Sequence, residues 1–296
     1  MAGFMKRLYR SILRKLPDKP AVYLIYFRGY HRILNLKNPK YYGEKIQWLK
    51  LYGNLEEVAD YVDKYKVRQF VEQTVGSQYL NGLYGIYDTP EEIDYDTLPN
   101  QFVLKCTNGS GHVMIVKDKS RLDVVKANQQ MHAWLRDDFY KMKKEPQYKP
   151  IQNRIIAVEY LEGALREFKF WCFDGEPYFY EVINYASLKK DVDQKSLEET
   201  IDVYDMTGKK LQVTNANVKN SDQVTPQTET FRELTEVVKK LAEPFQFVRV
   251  DFYMEEDRLY FGELTFTDGA GSDPFSPLSF DLEIAEKIKL GNVLKR

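Results

Sequence analysis

The stretch from Phe247 to Gly271, FVRVDFYMEEDRLYFGELTFTDGAG, constrains the fold more than any other part of the chain. In FVRVDFY, Val248, Val250 and Phe252 alternate with Arg249, Asp251 and Tyr253. Period-two alternation marks a strand with one apolar face. EEDR supplies a turn and LYFGELTF returns as a second strand, so the segment reads as an antiparallel hairpin. It gathers Asp251, Glu263, Arg249 and Thr265 on one surface. Oxygen donors fixed on strands suit Mg²⁺, which takes one or two protein carboxylates and leaves its other positions to water and phosphate oxygens. The competing interpretation is a hairpin whose charged face meets solvent.

A second hairpin carries complementary chemistry. FVLKC, TNGSG and HVMIVK follow one another as strand, glycine turn and strand, with Lys105 at the end of the first strand. Glycines let backbone amides approach an anion closely, and the lysine supplies a point charge. The order differs from a Walker loop, because the lysine precedes the glycines and a strand follows them. Alone, this would be a turn with an exposed lysine. Beside the acidic hairpin it completes the roles phosphoryl transfer requires: charge neutralisation, phosphate positioning and metal bridging. Lys169, in the strand EFKFW, is a further candidate for phosphate or an acidic substrate, and His112, directly after the glycines, is the one histidine with a functional position. His31 and His132 read as structural or exposed.

At 296 residues the chain exceeds one typical domain, so two lobes around a cleft are expected. A net charge of −1 excludes the global basic field that drives nucleic-acid binding. Cys106 and Cys172 have no metal-ligand spacing and suggest no disulfide framework, which fits a reducing cytoplasm. No apolar run approaches the roughly 20 residues that span a bilayer. The N-terminal MAGFMKRLYRSILRKLP interleaves apolar residues with Lys6, Arg7, Arg10, Arg14 and Lys15, giving a basic amphipathic helix rather than a signal peptide. Such a helix packs on the domain or attaches to a membrane surface through residues 1–16.

Further along, NLKNPKYYGEKIQWLKLYG reads as a loop and a short helix, and Glu57 to Val75 as one helix ending at Gly76. Tyr84 to Tyr87 is a short strand, and Leu122 to about Met142 is a helix. RIIAVEYLEG is a strand closing on a glycine turn, REFKFWCFDGEPYFYEVI a hairpin about Asp174-Gly175, and IDVYDMTGKKLQVT a hairpin at Thr207-Gly208. Asn215 to Thr228 reads as the least ordered stretch, Phe231 to Leu241 as a helix, and Asp281 to Leu290 as a closing helix. Hairpins separated from helices favour an α+β fold over a parallel doubly wound sheet.

The order DKYKVRQFV, LPNQFVLKCTNGSG, RIIAVEYLEG, FVRVDFY and FGELTFTDGAG resembles the ATP-grasp enzymes, in particular the TupA-like branch associated with bacterial teichuronopeptide and capsular polysaccharide synthesis. NPKYYGEKIQWLKLY and LPNQFVLKC carry the branch resemblance, which spans about Asn38 to Gly271. It implies two lobes with antiparallel sheets clasping ATP: a helical region over 1–62, an N-terminal lobe over 63–160 and a C-terminal lobe with the metal site over 161–296. It also implies that Lys64 and Lys105 contact the nucleotide phosphates and that Asn108, Gly109, Ser110, Gly111 and His112 form the loop that closes over them. Glu159, Tyr160 and Leu161 would read adenine between the lobes, and Glu167 the ribose hydroxyls. Asp251, Glu263 and Thr265 would hold Mg²⁺, with threonine standing where many ATP-grasp enzymes have asparagine, and Arg249 would face the transferred phosphate. Thr107-Asn108 and Val158 also depart from the family pattern.

The activity so implied is an ATP- and Mg²⁺-dependent carboxylate-amine ligase working through an acylphosphate. Its substrates would be a uronic-acid-containing glycan or precursor and an amino acid or other amine. It would work in the cytoplasm or at the inner face of the cell membrane, without nucleic acid. A glycosyltransferase, a phosphotransferase of the same fold and a nucleotide-binding scaffold are the alternatives.

Overall fold

The computed structural model describes residues 2–161, 166–185, 199–216, 218–225, 227–255 and 257–295. The helices are α1 (Ala2–Lys15), α2 (Asp18–Tyr30), α3 (Tyr42–Tyr52), α4 (Ala59–Val62), α5 (Val67–Val75), α6 (Val124–Leu135), α7 (Phe139–Lys143), α8 (Glu229–Ala242) and α9 (Leu278–Lys287). The β-branched and aromatic runs pair into antiparallel sheets. β1 (Leu83–Tyr87), β2 (Phe102–Cys106), β3 (Val113–Val116) and β4 (Ile155–Glu159) form a four-stranded sheet in the order β1-β4-β2-β3.

β5 (Arg166–Phe173), β6 (Glu176–Tyr185), β7 (Glu199–Asp205) and β8 (Lys210–Leu211) continue into a second sheet. A short β9 (Thr214–Asn215) follows, and β10 (Phe247–Glu255) and β11 (Arg258–Thr265) complete that sheet in the order β11-β10-β5-β6-β7-β8. β12 (Phe275–Ser276) pairs with β9 alone. The α+β expectation is borne out.

Period-two alternation sorts each sheet into two faces. In the first, Phe102, Leu104, Cys106, Ile155 and Ala157 pack under Ala127, Met131 and Trp134 of α6. Val103, Ile156 and Val158 form a separate apolar layer on the other side. In the second sheet, Phe168, Phe170 and Tyr180 gather around Phe231 of α8, with ring centroids 5.9, 5.9 and 4.8 Å away. Phe247, Trp171 and Phe179 lie on the opposite face. There Tyr42 of α3 meets Phe247 at 6.1 Å, and Phe275 meets Trp171 at 5.8 Å.

Helix α3 buries polar side chains as well as apolar ones. Glu44, Gln47 and Lys50, spaced by three residues, are all buried. Glu44 accepts hydrogen bonds from the backbone N–H groups of Asn35, Lys40 and Tyr41, which fixes the loop entering the helix. Gln47 Nε2 donates to the Ala270 and Gly271 carbonyls at 2.8 and 3.1 Å, and Lys50 Nζ donates to Ala270 at 3.1 Å. Those carbonyls belong to a loop in which Gly269, Ala270 and Gly271 all have positive φ, so the side chains of α3 hold a backbone shape that an alanine rarely adopts. Burial lowers the Lys50 pKa to about 7, against the pull of Glu145.

Three sequence expectations are corrected. Glu57 to Val75 is broken between α4 and α5, because the Asp63 carboxylate accepts from the N–H groups of Tyr65 and Lys66 in place of the helical carbonyl ladder. The expected helix from Leu122 splits into α6 and α7, with Asp138 capping the second through the Lys141 N–H. The β10–β11 turn is tighter than EEDR, since Glu255 and Arg258 are the last paired residues. Within the polar stretch after Asn215, Asn220 bonds the Ile201 and Val213 carbonyls and Ser221 bonds Asp202. The glycine turn expected at Gly163 lies outside the described residues.

Candidate active site

The two sheets present their remaining faces to a common cleft of about 520 Å³, within the range of small-molecule sites. Val103, Ile156 and Val158 from the first sheet give it an apolar wall. Lys105 stands beside them, Lys64 and Arg68 reach in from the α4–α5 region, and Glu167, Lys169, Tyr253, Phe261 and Glu263 come from the second sheet. The lysine-glycine hairpin and the acidic hairpin therefore face one crevice.

Register explains how the charged side chains of the second sheet converge. Glu263 pairs with Asp251, Asp251 with Lys169, and Lys169 with Glu181, so four ionisable residues form one row across β11, β10, β5 and β6. Arg249, two residues from Asp251, folds back along this row. Its Nε and Nη2 donate to the two Asp251 oxygens at 2.7 and 2.5 Å, Nη2 also donates to Glu263 Oε1 at 3.0 Å, and Nη1 donates to Asp268. Its guanidinium lies 5.5 Å from the Trp171 ring. Although burial opposes its charge, the three carboxylates hold the Arg249 pKa well above the usual arginine range. Burial and Arg249 work against the charge on Lys169 too, yet Asp251, Glu167 and Glu181 raise its pKa.

Asp251 is buried, whereas the Glu263 side chain is 47% exposed and opens to the cleft. The hydrogen bonds Glu263 accepts from Arg249 and Thr265 both fall on Oε1. Burial would raise the Glu263 pKa, but Arg249, Lys64 and Thr265 bring it below the ordinary glutamate value. Among the described residues no group of three or more Asp, Glu, His or Cys side chains is placed to hold a metal. The donors at the cleft are the Glu263 carboxylate and the Thr265 hydroxyl, while both Asp251 oxygens behind them are held by Arg249. That set fits a hard divalent cation taking few protein ligands, with Glu263 the carboxylate open to it.

On the facing side, the break at Asp63 puts Lys64 out of any helix: its N–H donates to the Thr107 carbonyl at 3.1 Å and its Nζ to the Gly109 carbonyl. Burial lowers the Lys64 pKa, and burial together with Lys64 lowers that of Lys105 to about 8. Two adjacent lysines, whose charge the Glu263 carboxylate favours only in part against burial, make a ready phosphate site. Ser110 and Gly111 line the cleft. Asn108 instead anchors the loop from behind, donating to Asn153 Oδ1 at 2.8 Å and the Tyr148 carbonyl at 3.3 Å. Gly109 has φ +77°, and a Cβ there would strike the Phe139 ring, so glycine is required. His112 stacks on Trp134 at 5.7 Å, and burial lowers its pKa.

Glu159, Tyr160, Leu161 and Glu167 also border the cleft. The Glu159 backbone is already engaged: its N–H donates to the Gly82 carbonyl and its carbonyl accepts from Asn81 Nδ2. Lys169 Nζ stands 3.6 Å from Glu167.

Sequence reasoning passed over Arg68, Asn81, Glu181 and Asp268. Arg68 lies four residues after Lys64 in DKYKVRQFV, a nearness that was the available signal, and it is oriented by Asn81, whose Oδ1 and carbonyl accept from its guanidinium at 3.1 and 2.5 Å. Glu181 was legible only through cross-strand register about the Asp174-Gly175 turn, which brings it opposite Lys169. Asp268 sits within the quoted TFTDGAG.

Two antiparallel sheets closing on a cleft, with Lys105 on one and Lys64 beside it, and a carboxylate-arginine row on the other, are the arrangement of an ATP-grasp protein. The chain belongs to the TupA-like ATP-grasp family, whose model matches residues 44–289. No curated protein matches the sequence. Solved structures similar to it include D-alanine–D-alanine ligase from Bacillus anthracis, 14% identical over 83% of this chain and 68% of that one, with TM-score 0.41. N5-carboxyaminoimidazole synthetase from Staphylococcus aureus, complexed with ADP, is 13% identical over 76% of this chain and 52% of that one, with TM-score 0.45. L-amino acid ligase from Bacillus licheniformis is 14% identical over 72% and 42%, with TM-score 0.40. At these scores the assignment rests on the family match.

Proposed function

We propose that the protein is an ATP- and Mg²⁺-dependent ligase that joins a uronic acid carboxylate of a bacterial surface polysaccharide, or its precursor, to an amino acid or other amine. The observation that carries this reading is the shared cleft, in which Lys64 and Lys105 stand across from Lys169 and Glu263, with Arg249 and Asp251 buried behind Glu263. The lysines bind the phosphate oxygens, Ser110 and Gly111 border them, Tyr160 and Leu161 receive the base, and Glu167 the ribose. Mg²⁺, when held by Glu263 and Asp251 with Thr265 beside them, supplies charge neutralisation on the phosphates.

A substrate carboxylate oxygen attacks the γ-phosphorus as the bond to ADP breaks, giving an acylphosphate. The amine nitrogen then attacks the acyl carbon, inorganic phosphate leaves, and the nitrogen loses a proton to give the amide. Arg249 faces the transferred phosphate and Lys169 lies beside the acceptor carboxylate. This chemistry uses no covalent nucleophile of the protein.

The test uses a galacturonic acid oligosaccharide, ATP, Mg²⁺ and hydroxylamine, which traps an acylphosphate as a hydroxamate. ATP-dependent hydroxamate is the expected product. Asp251→Asn and Glu263→Gln should each abolish ADP formation while keeping the native circular dichroism spectrum. Undiminished turnover in both variants rejects the metal ligands, and phosphate transferred to a sugar hydroxyl without hydroxamate replaces the ligase with a phosphotransferase.

A further inference from the structure

Helix α1 carries five basic residues, Lys6, Arg7, Arg10, Arg14 and Lys15, and no acidic one, in a chain whose net charge is −1. One side of the helix is already used. Leu13 is buried with Ala21 and Ile25 of α2, among Tyr9, Leu16 and Leu24, and the Arg28 guanidinium lies 4.3 Å over the Tyr9 ring. Another side is open: Leu8 and Ile12, one helical turn apart, are 45% and 43% exposed at one edge of it, Lys15 is exposed beside them, and Arg10 is exposed farther round the helix. An apolar pair at the edge of a basic helix, with Lys15 next to it, complements an anionic bilayer, where apolar side chains sink to the acyl boundary and cations meet headgroup phosphates. A nucleic acid would engage the cations and leave Leu8 and Ile12 wet.

The same helix is bonded to the back of the glycine loop. Arg14 donates to one Asp137 oxygen at 2.5 Å, and the other Asp137 oxygen stands 3.5 Å from His112 Nε2. The Asp137 carbonyl accepts from Asn153 Nδ2 at 2.9 Å, and Asn153 Oδ1 accepts from Asn108 at 2.8 Å. Asn108 and His112 bracket Gly109 to Gly111, so both ends of the loop are tied to the residue that Arg14 holds. α2 reinforces the joint through the Tyr140 hydroxyl, which donates to Asp18.

We propose that α1 docks the protein on an anionic lipid bilayer and that docking, through Arg14 and Asp137, steadies the glycine loop for nucleotide. The docking stands independently of the ligase reading; the coupling rests on it. Co-sedimentation of the full chain with vesicles of equal phosphatidylglycerol and phosphatidylcholine is compared with pure phosphatidylcholine vesicles. Binding to the anionic vesicles is expected to be at least about tenfold stronger and to weaken with salt, and Leu8→Ser with Ile12→Ser should lower it about tenfold. These positions are exposed, so the doubly substituted protein should keep the native circular dichroism spectrum. ATP affinity measured calorimetrically should rise about fivefold on anionic vesicles, and Arg14→Ala should bind vesicles yet lose that rise.

Equal binding to both vesicle types, or undiminished binding by the Leu8/Ile12 variant, overturns the docking. A dimer that this variant dissolves, without vesicle binding, gives the face to a second copy instead. An ATP affinity that vesicles leave unchanged overturns the coupling. Failure to bind ATP under any condition would reject the nucleotide reading and the coupling with it, while the sedimentation result still decides the docking.

Discussion

Lys105 makes nucleotide binding a proton-linked event. It projects from β2 into the cleft, where burial and the neighbouring Lys64 bring its pKa from 10.5 to about 8. That fall corresponds to a penalty of about 3 kcal/mol on the charged form, at roughly 1.4 kcal/mol per unit. A triphosphate against the ammonium removes the penalty and restores a pKa near the ordinary lysine value, so binding draws in a proton. At pH 8 the free side chain is about half protonated and at pH 9 about one tenth, giving uptakes of about 0.5 and 0.9 protons per ATP.

Between pH 7 and 9.5 the same linkage weakens ATP binding by roughly 25-fold. Calorimetry at pH 9 in two buffers of unlike ionisation enthalpy measures the uptake directly. Lys105→Met should bind more weakly at pH 7 and lose the uptake, and Lys64→Met run in parallel separates the contribution of the second lysine. Wild-type uptake near zero at pH 9, or full uptake retained in Lys105→Met, would refute the reasoning.

Two further outcomes follow from the charged row. Burial and Asp268 raise the Glu181 pKa to about 8, against the pull of Lys169 and the Asn215 hydrogen bond. The folded value exceeds the unfolded one, so the contribution of the protonated group is complete below about pH 4.5 and is lost as pH rises through 8, by at most about 5 kcal/mol. Glu181→Gln should flatten this dependence, leaving the variant more stable than the wild type at pH 9; urea melts at pH 5 and 9 that move in parallel would contradict it. Arg249→Lys removes a fork that no ammonium reproduces, and should lower the kcat for ATP turnover about 100-fold with KM for ATP changed far less. Unaltered kcat in steady-state assays would take Arg249 out of the chemistry.

Local pattern carried most strands into view. FVRVDFY, FVLKC and the Asp174-Gly175 hairpin form where alternation and turn residues put them, since one buried face makes register costly to shift. The helices were harder to delimit, because Asp63 and Asp138 end or restart them through side-chain bonds that hydrophobic periodicity does not register. The Arg249 and Asp251 face of β10 was legible as charged, and its burial was not: that depends on Trp171 from β5 and on the bend after β11 that returns Asp268 to Arg249. Arg68 and Glu181 were hidden for the same reason, their positions being set by Asn81 and by a four-strand register.

The inward-turned polar side chains of α3 bear on how this scaffold can be changed. A helix seated by grease tolerates small slips; one seated by Glu44, Gln47 and Lys50 on particular main-chain groups does not, because each slip strands a desolvated donor or acceptor. Anyone transplanting the Asp268–Gly271 bend into a different chassis would have to carry α3 along with it, as a key travels with its lock.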